Sequence, residues 1–363
     1  MQPAKIVDLF AGPGGVDVAA ETLGVPSVGL EWDPDACRTR RAAGLATIEG
    51  DVRRYGPADF PDADVLAGGP PCQTFTVAGN GAGRKALEEV LRFVERMTAR
   101  DDREAITGDL GRLDDERTGL VLEPLRWILE ALDARRKPYE SIVLEQVPAV
   151  LPVWEAYARV LRREGYSVAH GVVTAEAYGV PQTRRRAVLV ARRGRHALRL
   201  PEPTHRTYRK GAPRQAGEAG PRPWRSMGEV VDRGGPFEVV SNYGTGGDPR
   251  QRGRRSSSHP AATVTGKIFR NRVVSLDGEE LERFSPAEAG RLQTFPSDYP
   301  WSGRDVGQQI GNAVPPRLAM HVLSACFGWS PPAEEVLARL DRWVGASTAA
   351  STVVVGAGPL VGA

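Results

Sequence analysis

Cys72 closes the run Gly68-Gly69-Pro70-Pro71 and precedes Gln73. Two glycines and two prolines build a tight, rigid turn that displays the next side chain. A thiol shown in that way is a candidate nucleophile, because the thiolate is the reactive form and needs access to its substrate. Cys37 and Cys326 fall within helical patterns and read as structural, and three cysteines so widely spaced form no zinc pattern. A second feature opens the chain, where Ile6-Val7-Asp8-Leu9-Phe10 runs into Ala11-Gly12-Pro13-Gly14-Gly15. Glycines after a strand let a ligand approach the backbone and the N-terminus of the following helix. The next apolar run ends in Glu31-Trp32-Asp33, and the one after it leads to Asp51-Val52. Glu31 can accept both hydroxyls of a ribose, Trp32 can stack on an adenine, and Asp51 can receive an adenine amino group. The third spaced glycine of the dinucleotide fingerprint is missing, which disfavours a nicotinamide cofactor. Acids at two successive strand ends favour an adenosyl ligand.

These residues need strand ends to stand on. Apolar runs at Lys5–Phe10, Ser27–Trp32, Ala46–Glu49, Ala63–Ala67, Ser141–Leu144, Ser167–Val173 and Ala187–Ala191 alternate with helical patterns. The helices are expected at Val16–Leu23, Asp35–Ala43, Gly119–Arg136 and Val153–Glu164. Alternation of this kind predicts an α/β fold with a parallel sheet and crossover helices. The spacing of Leu87, Val90, Leu91 and Val94 predicts an amphipathic helix over Arg84–Glu104. After about Arg193 the alternation stops, and Gly, Pro and Arg dominate to about Arg255, which predicts a loop-rich second lobe. Helical patterns return at Pro286–Phe295 and Pro316–Phe327. The expected organisation is a catalytic domain over 1–195 with an insertion at 84–112, a small lobe over 196–300, a return to the catalytic domain over 301–330, and an extension over 331–363. The uncharged stretch from Gly345 reads as a flexible tail.

The chain has 363 residues, 41% apolar and 26% charged, a globular composition with room for a packed core. No apolar run approaches the ~20 residues of a membrane span, and the N-terminus has no signal-peptide pattern, so a cytoplasmic protein without a membrane partner is expected. Net charge is +3, but it is spread unevenly. Arg184–Arg225 holds twelve Arg and one Lys against Glu202 and Glu218, and Arg250–Arg272 holds seven basic residues and no acid. Interleaved with Tyr208, Trp224, Tyr243 and Phe269, these runs fit a phosphate-contacting face.

Six motifs in order resemble the DNA (cytosine-5) methyltransferases. Asp8-Leu9-Phe10-Ala11-Gly12 with Gly14-Gly15 resembles the family's cofactor loop, and Gly69-Pro70-Pro71-Cys72-Gln73 its nucleophile loop. Glu145-Gln146-Val147 is similar to Glu-Asn-Val, and Gln182-Thr183-Arg184-Arg185-Arg186 to Gln-x-Arg-x-Arg. Arg291-Leu292-Gln293-Thr294-Phe295-Pro296 and Gly311-Asn312-Ala313-Val314-Pro315 resemble the two closing motifs. The resemblance implies a Rossmann-like S-adenosylmethionine-dependent methyltransferase sheet with a smaller target-recognition lobe. It implies that Cys72 adds to carbon 6 of a flipped-out cytosine, that Glu145 binds ring N3, and that Arg186 fixes the carbonyl oxygen with Arg184 near it. Asp8, Phe10, Ala11, Gly12, Gly14, Gly15, Glu31, Trp32, Asp51, Val52, Pro71, Asn312, Ala313 and Val314 are then expected at the S-adenosylmethionine, which leaves as S-adenosylhomocysteine. Gln73, Gln182, Arg206, Arg209, Lys210, Arg252, Arg254 and Arg255 are expected at DNA, with recognition carried by about Leu200–Arg255.

The expected partner is double-stranded DNA acted on by a monomer, with a cognate restriction endonuclease if the setting is restriction-modification rather than orphan regulation or phage self-protection. Three departures stand out. Gln146 replaces Asn, Phe75-Thr76 stands where Phe-Ser is usual, and the Asp115–Leu120 motif has its Gly displaced by one residue. The long insertion before it either contacts DNA or decorates the surface. An RNA-methylating relative and a catalytically silent DNA-binding relative remain as alternatives. The Arg-rich lobe favours DNA, and retention of Cys72 and Glu145 favours catalysis. A nicotinamide-dependent oxidoreductase explains none of the later motifs.

Overall fold

The computed structural model describes residues 5–71, 82–112, 117–133, 137–211, 214, 220–242 and 252–345. The apolar runs of the first half form a seven-stranded sheet of order β3-β2-β1-β4-β5-β8-β6. Its strands are β1 (Lys5–Leu9), β2 (Ser27–Glu31), β3 (Thr47–Glu49), β4 (Ala63–Gly68), β5 (Ser141–Gln146), β6 (Tyr166–Thr174) and β8 (Arg185–Arg193). Strands β1 to β5 pair in parallel, as alternation with helices predicts. The parallel sheet that alternation predicts gives way at β8, which runs antiparallel to both β5 and β6. Only a one-turn helix (Ala175–Tyr178) and the two-residue β7 (Gln182–Thr183) separate β6 from β8, so the chain has too little length for a crossover and must reverse.

Eleven helices follow in chain order among the described residues. They are α1 (Gly15–Thr22), α2 (Pro34–Ala42), α3 (Ala82–Thr98), α4 (Arg103–Leu110), α5 (Arg117–Leu120), α6 (Glu123–Asp133), α7 (Leu151–Arg163), α8 (Pro286–Leu292), α9 (Val306–Asn312), α10 (Pro316–Phe327) and α11 (Glu334–Leu337). Period-two side-chain alternation divides the sheet's apolar residues between two layers. Val7, Leu9 and Leu144 face Phe93, Trp127 and Trp154 of α3, α6 and α7, whereas Ile6, Val65 and Val143 face Val18, Leu318 and Leu323 of α1 and α10. No helix among the described residues is long and apolar enough to cross a membrane.

The insertion is part of the first layer. Val90, Phe93 and Val94 are buried against it, and the predicted single helix breaks at Arg100, whose φ is 60°. Asp102 then caps α4 by accepting from the Ala105 N–H at 2.8 Å. Arg100 also pairs with Asp133 and Glu164, which ties the insertion to α6 and α7. The helix expected over Gly119–Arg136 is likewise split, with Pro124 in the first turn of α6, where its missing N–H costs least.

The small lobe carries an antiparallel sheet of order β10-β9-β12-β13 (Arg254–Ser256, Phe237–Val240, Arg272–Ser275, Glu280–Leu281). Met227, Phe237, Val273 and Phe284 form its core together with Leu292 and Ile310 from α8 and α9. A parallel pair between β7 and β11 (Ala261–Ala262) stitches the two lobes. Part of the C-terminal extension is docked rather than loose. Leu337 and Leu340 are buried, and the Trp343 indole donates to the Ala43 carbonyl at 2.9 Å. The expected tail beyond Gly345 lies outside the described residues.

Beneath the glycine loop sits a fully buried ion pair, Arg40 Nη1 to Asp17 Oδ2 at 2.6 Å. Each nitrogen of Arg40 donates a hydrogen bond, with Nε reaching Thr47 Oγ1 at 3.1 Å and Nη2 the Ala46 carbonyl at 3.1 Å. Ser27 Oγ donates to the other Asp17 oxygen at 2.8 Å. A buried pair so fully bonded survives desolvation, but removing one partner strands the other charge. Arg40→Ala is therefore expected to cost about 3–5 kcal/mol in urea unfolding. A loss below ~1 kcal/mol would show that this network does not hold the loop.

Candidate active site

The cofactor loop is strained where it should meet a ligand. Phe10 has φ 59°, a left-handed conformation rare outside glycine, and Gly12 follows at φ 55°. Nothing stands within 4 Å of where a side chain at Gly12 would be, so its backbone faces open space. Helix α1 begins at Gly14 without a side-chain cap, leaving backbone N–H groups for a ligand. Glu31 is fixed by three backbone donors, Gly12 N–H at 2.7 Å, Trp32 N–H at 2.9 Å and Asp33 N–H at 2.7 Å. Trp32 is 66% exposed beside it, an apolar ring with no protein cover. An open backbone, an oriented acid and an uncovered indole fit an adenosyl group as the sequence predicts. Asp51 is engaged by Arg53, which holds its carboxyl below the usual range.

The other expected cofactor residues divide by burial. Pro71, Val314 and Asn312 are partly or fully exposed. Ala11, Gly14, Gly15, Val52 and Ala313 are buried and shape the crevice from behind. At Gly15 any side chain would overlap the Val314 carbonyl, so the first and last motifs touch there. Asp8, expected at the cofactor, lies inside the core. It is 2% exposed, and burial together with the charge of Asp17 pushes its carboxyl well above the ordinary range. A carboxyl in that setting supports the loop from within the core.

At the ends of β5 and β8 the Arg186 Nε lies 2.8 Å from Glu145 Oε1. The antiparallel register that sets Glu145 against Val188 brings the two side chains together. Gly69 packs against this acid, since a Cβ there would stand 4.0 Å from Glu145 Oε2. The nucleophile loop thus passes directly over Glu145. Cys72 and Gln73 themselves lie outside the described residues. The other two thiols are buried, and burial pushes each up to about 12, which keeps Cys37 and Cys326 protonated and inert. Gln146 keeps the role its position demands: its amide donates to the Pro70 carbonyl while its oxygen accepts the Val147 N–H at 2.5 Å. The longer side chain still bridges strand and nucleophile loop.

Two expected site residues are engaged inside the protein. Arg184 is 1% exposed and donates to the carbonyls of Val264 at 3.1 Å and of Gly311 and Ala313 at 3.0 Å. Burial, then the charge of Arg186, pulls its guanidinium down to about 9. Gln182, expected at DNA, is likewise packed inside the protein. It is fully buried, donating to the Leu292 carbonyl at 2.8 Å and to Gln293 Oε1 at 2.7 Å while accepting the Val264 N–H at 3.0 Å. Gln182 opens the two-residue β7 and Arg184 sits at the break between β7 and β8, where strand alternation is too short to give a face.

A cleft of about 1030 Å³ is lined by Arg185, Arg186, Arg209, Lys210 and Arg255. Arg255 is held by Thr183 Oγ1 at 3.1 Å and lies 5.2 Å over the Tyr208 ring. Arg206, Arg252 and Arg254 are not among the cleft-lining residues, and Arg254 pairs with Glu238 at 2.9 Å. Sequence reasoning missed Glu176 in this cleft, although it is the lone acid between Glu164 and Glu202.

A family model of C-5 cytosine-specific DNA methylase matches residues 4–97, 106–219 and 222–328. The chain belongs to that family. Among its relatives, the Type II methyltransferase M1.HphI of Haemophilus parahaemolyticus is 27% identical over 88% of this chain and 85% of its own length. The Type II methyltransferase M.NgoFVII of Neisseria gonorrhoeae is 27% identical over 86% and 83%. The S. pombe Dnmt2 methyltransferase structure superposes with a TM-score of 0.59 at 16% identity, over 90% of this chain and 98% of that one, a likeness of fold. As a C-5 cytosine methyltransferase the protein has a Rossmann-like, S-adenosylmethionine-type sheet, and membership in the family implies methyl transfer that depends on that cofactor.

Two expectations test this geometry. Glu31→Ala should weaken S-adenosylmethionine binding by about 1.5–3 kcal/mol in calorimetry, and unchanged affinity would move the cofactor elsewhere. Arg184→Met should lower unfolding stability by on the order of 3–5 kcal/mol, because three buried carbonyls lose their donor. A variant that melts as wild type but loses turnover would return Arg184 to the substrate.

Proposed function

We propose that this methyltransferase transfers a methyl group to carbon 5 of a cytosine flipped out of double-stranded DNA, within a specific short sequence and through a covalent adduct with Cys72. The observation that carries the reading is the Glu145–Arg186 pair at 2.8 Å, set under the loop that leads to Cys72. Carbon 5 of cytosine is a poor nucleophile. Addition of the Cys72 thiolate forms a sulfur–carbon 6 bond and moves the ring's double-bond electrons toward carbon 5. Charge then builds on N3 and the carbonyl oxygen, where Glu145 and Arg186 would hold it in fixed, pre-paired directions. Bound S-adenosylmethionine supplies the electrophilic methyl that carbon 5 takes up. Loss of the carbon 5 proton returns electrons to the ring and expels the Cys72 sulfur. None of this is possible inside a stacked duplex, so the base must leave the helix.

Exposed Arg209 and Lys210 on the cleft wall suit the phosphate backbone, and their contribution falls with salt. Leu200–Arg255 is the proposed recognition segment, though 212–213, 215–219 and 243–251 within it lie outside the described residues. The similarity to Type II methyltransferases supports a restriction-modification setting with a cognate endonuclease.

Cys72→Ser is expected to abolish transfer while cofactor affinity survives, since an alkoxide is far harder to form than a thiolate near neutral pH. A duplex carrying 5-fluorocytosine at the mapped target should trap the wild-type protein covalently, because fluorine does not leave as a proton. Turnover of Cys72→Ser within tenfold of wild type, or no adduct on a verified target, contradicts the covalent route.

A further inference from the structure

Glu176 follows β6 in a short helical turn, and its side chain lines the cleft although the residue is only 4% exposed. Its Oε2 is buried without a hydrogen-bond partner. A buried carboxyl oxygen left bare costs free energy unless something else fills its lone pairs. Two nearby cations are turned to other partners. Arg255 Nη1 reaches Thr183 Oγ1 and the carbonyls of Pro260 and Ala261, and Arg186 Nε pairs with Glu145. The Glu176 Oε2 is left open.

The chemistry of the cleft narrows what fits. Glu176 is the one acid among the described residues that line it, facing Arg185, Arg209, Lys210 and Arg255. Those cations suit phosphates, which offer acceptors only and would be repelled by a carboxylate. The donors that DNA presents are the amino groups of its bases, and an acid is the side chain that accepts from them. Burial pushes the Glu176 carboxyl above its usual range, while backbone hydrogen bonds at Glu176 and Arg184 and the charges of Arg255 and Arg185 draw it down. In either protonation state it retains an acceptor oxygen.

We propose that Glu176 is a specificity-determining residue that accepts a hydrogen bond from the exocyclic amino group of a cytosine or adenine in the bound DNA. The assignment rests on the reading of the cleft as the DNA site. It goes beyond Glu145, which serves the reacting ring.

The test uses the full chain and duplexes built on its methylation site, mapped by bisulfite sequencing. Each cytosine is replaced in turn by uracil and each adenine by inosine, so that an amino group becomes a carbonyl, and affinities are read by fluorescence anisotropy. One replacement should cost wild type about ten- to a hundredfold, and which base it is separates cytosine from adenine as the source. Glu176→Leu, which fills the same space without an acceptor, should reduce that penalty to less than about threefold and leave the others alone. Glu176→Gln, which keeps an oxygen acceptor, should retain most of it. Glu176→Leu should also melt close to wild type, since it removes a carboxyl with one bare buried oxygen and fills its space. A penalty profile in Glu176→Leu identical to wild type, or an equal loss on every duplex, overturns the assignment while leaving the cleft as the DNA site. A wild-type protein with no base preference at all overturns both.

Discussion

The site depends on a buried cation held by backbone carbonyls. Arg184 spends its guanidinium on three carbonyls, one from the small lobe at Val264 and two from the closing motif at Gly311 and Ala313. Desolvation opposes a charge in that place, and charge-assisted hydrogen bonds to carbonyls offset it. One side chain therefore fixes the small lobe and the C-terminal return against the start of β8. Arg186 lies two residues further along that strand, so its meeting with Glu145 inherits the same constraint. Gln182 reinforces the junction from the other side by saturating its amide on Leu292, Gln293 and Val264.

A second junction closes the cofactor crevice. The first and last motifs meet where Gly15 abuts the Val314 carbonyl, and the Tyr299 hydroxyl donates to the Pro13 carbonyl. Under them the Arg40–Asp17 pair sets the height of the glycine loop. Glu31 can therefore present a carboxylate already oriented by three backbone donors, which lowers the ordering cost when a ligand binds.

Much of this was legible in the sequence, for physical reasons. Strand ends announce themselves by β-branched runs that stop at Gly, Glu or Asp, so Glu31, Trp32 and Glu145 could be placed before any coordinates. The direction of β8 was not legible, because apolar alternation carries no sign. Nor were the separate fates of Arg184 and Arg186. Both are arginines in one run, and the difference lies in carbonyls some 80 to 129 residues away. Glu176 was visible as a lone acid in a basic stretch, but only packing shows that one of its oxygens is buried without a partner. The docking of the extension through Leu337, Leu340 and Trp343 was not read from the sequence, where the uncharged run that follows suggests only a flexible tail. The insertion showed its amphipathic face in sequence, and the face is buried on α6 and α7.

The most direct measurement is transfer of radiolabelled methyl from S-adenosylmethionine to double-stranded DNA and to RNA, assayed side by side with nucleoside analysis of the product. The account predicts label in DNA, recovered as 5-methylcytosine, with RNA at background. Label confined to RNA, or recovered from DNA on any atom other than carbon 5 of cytosine, would contradict it.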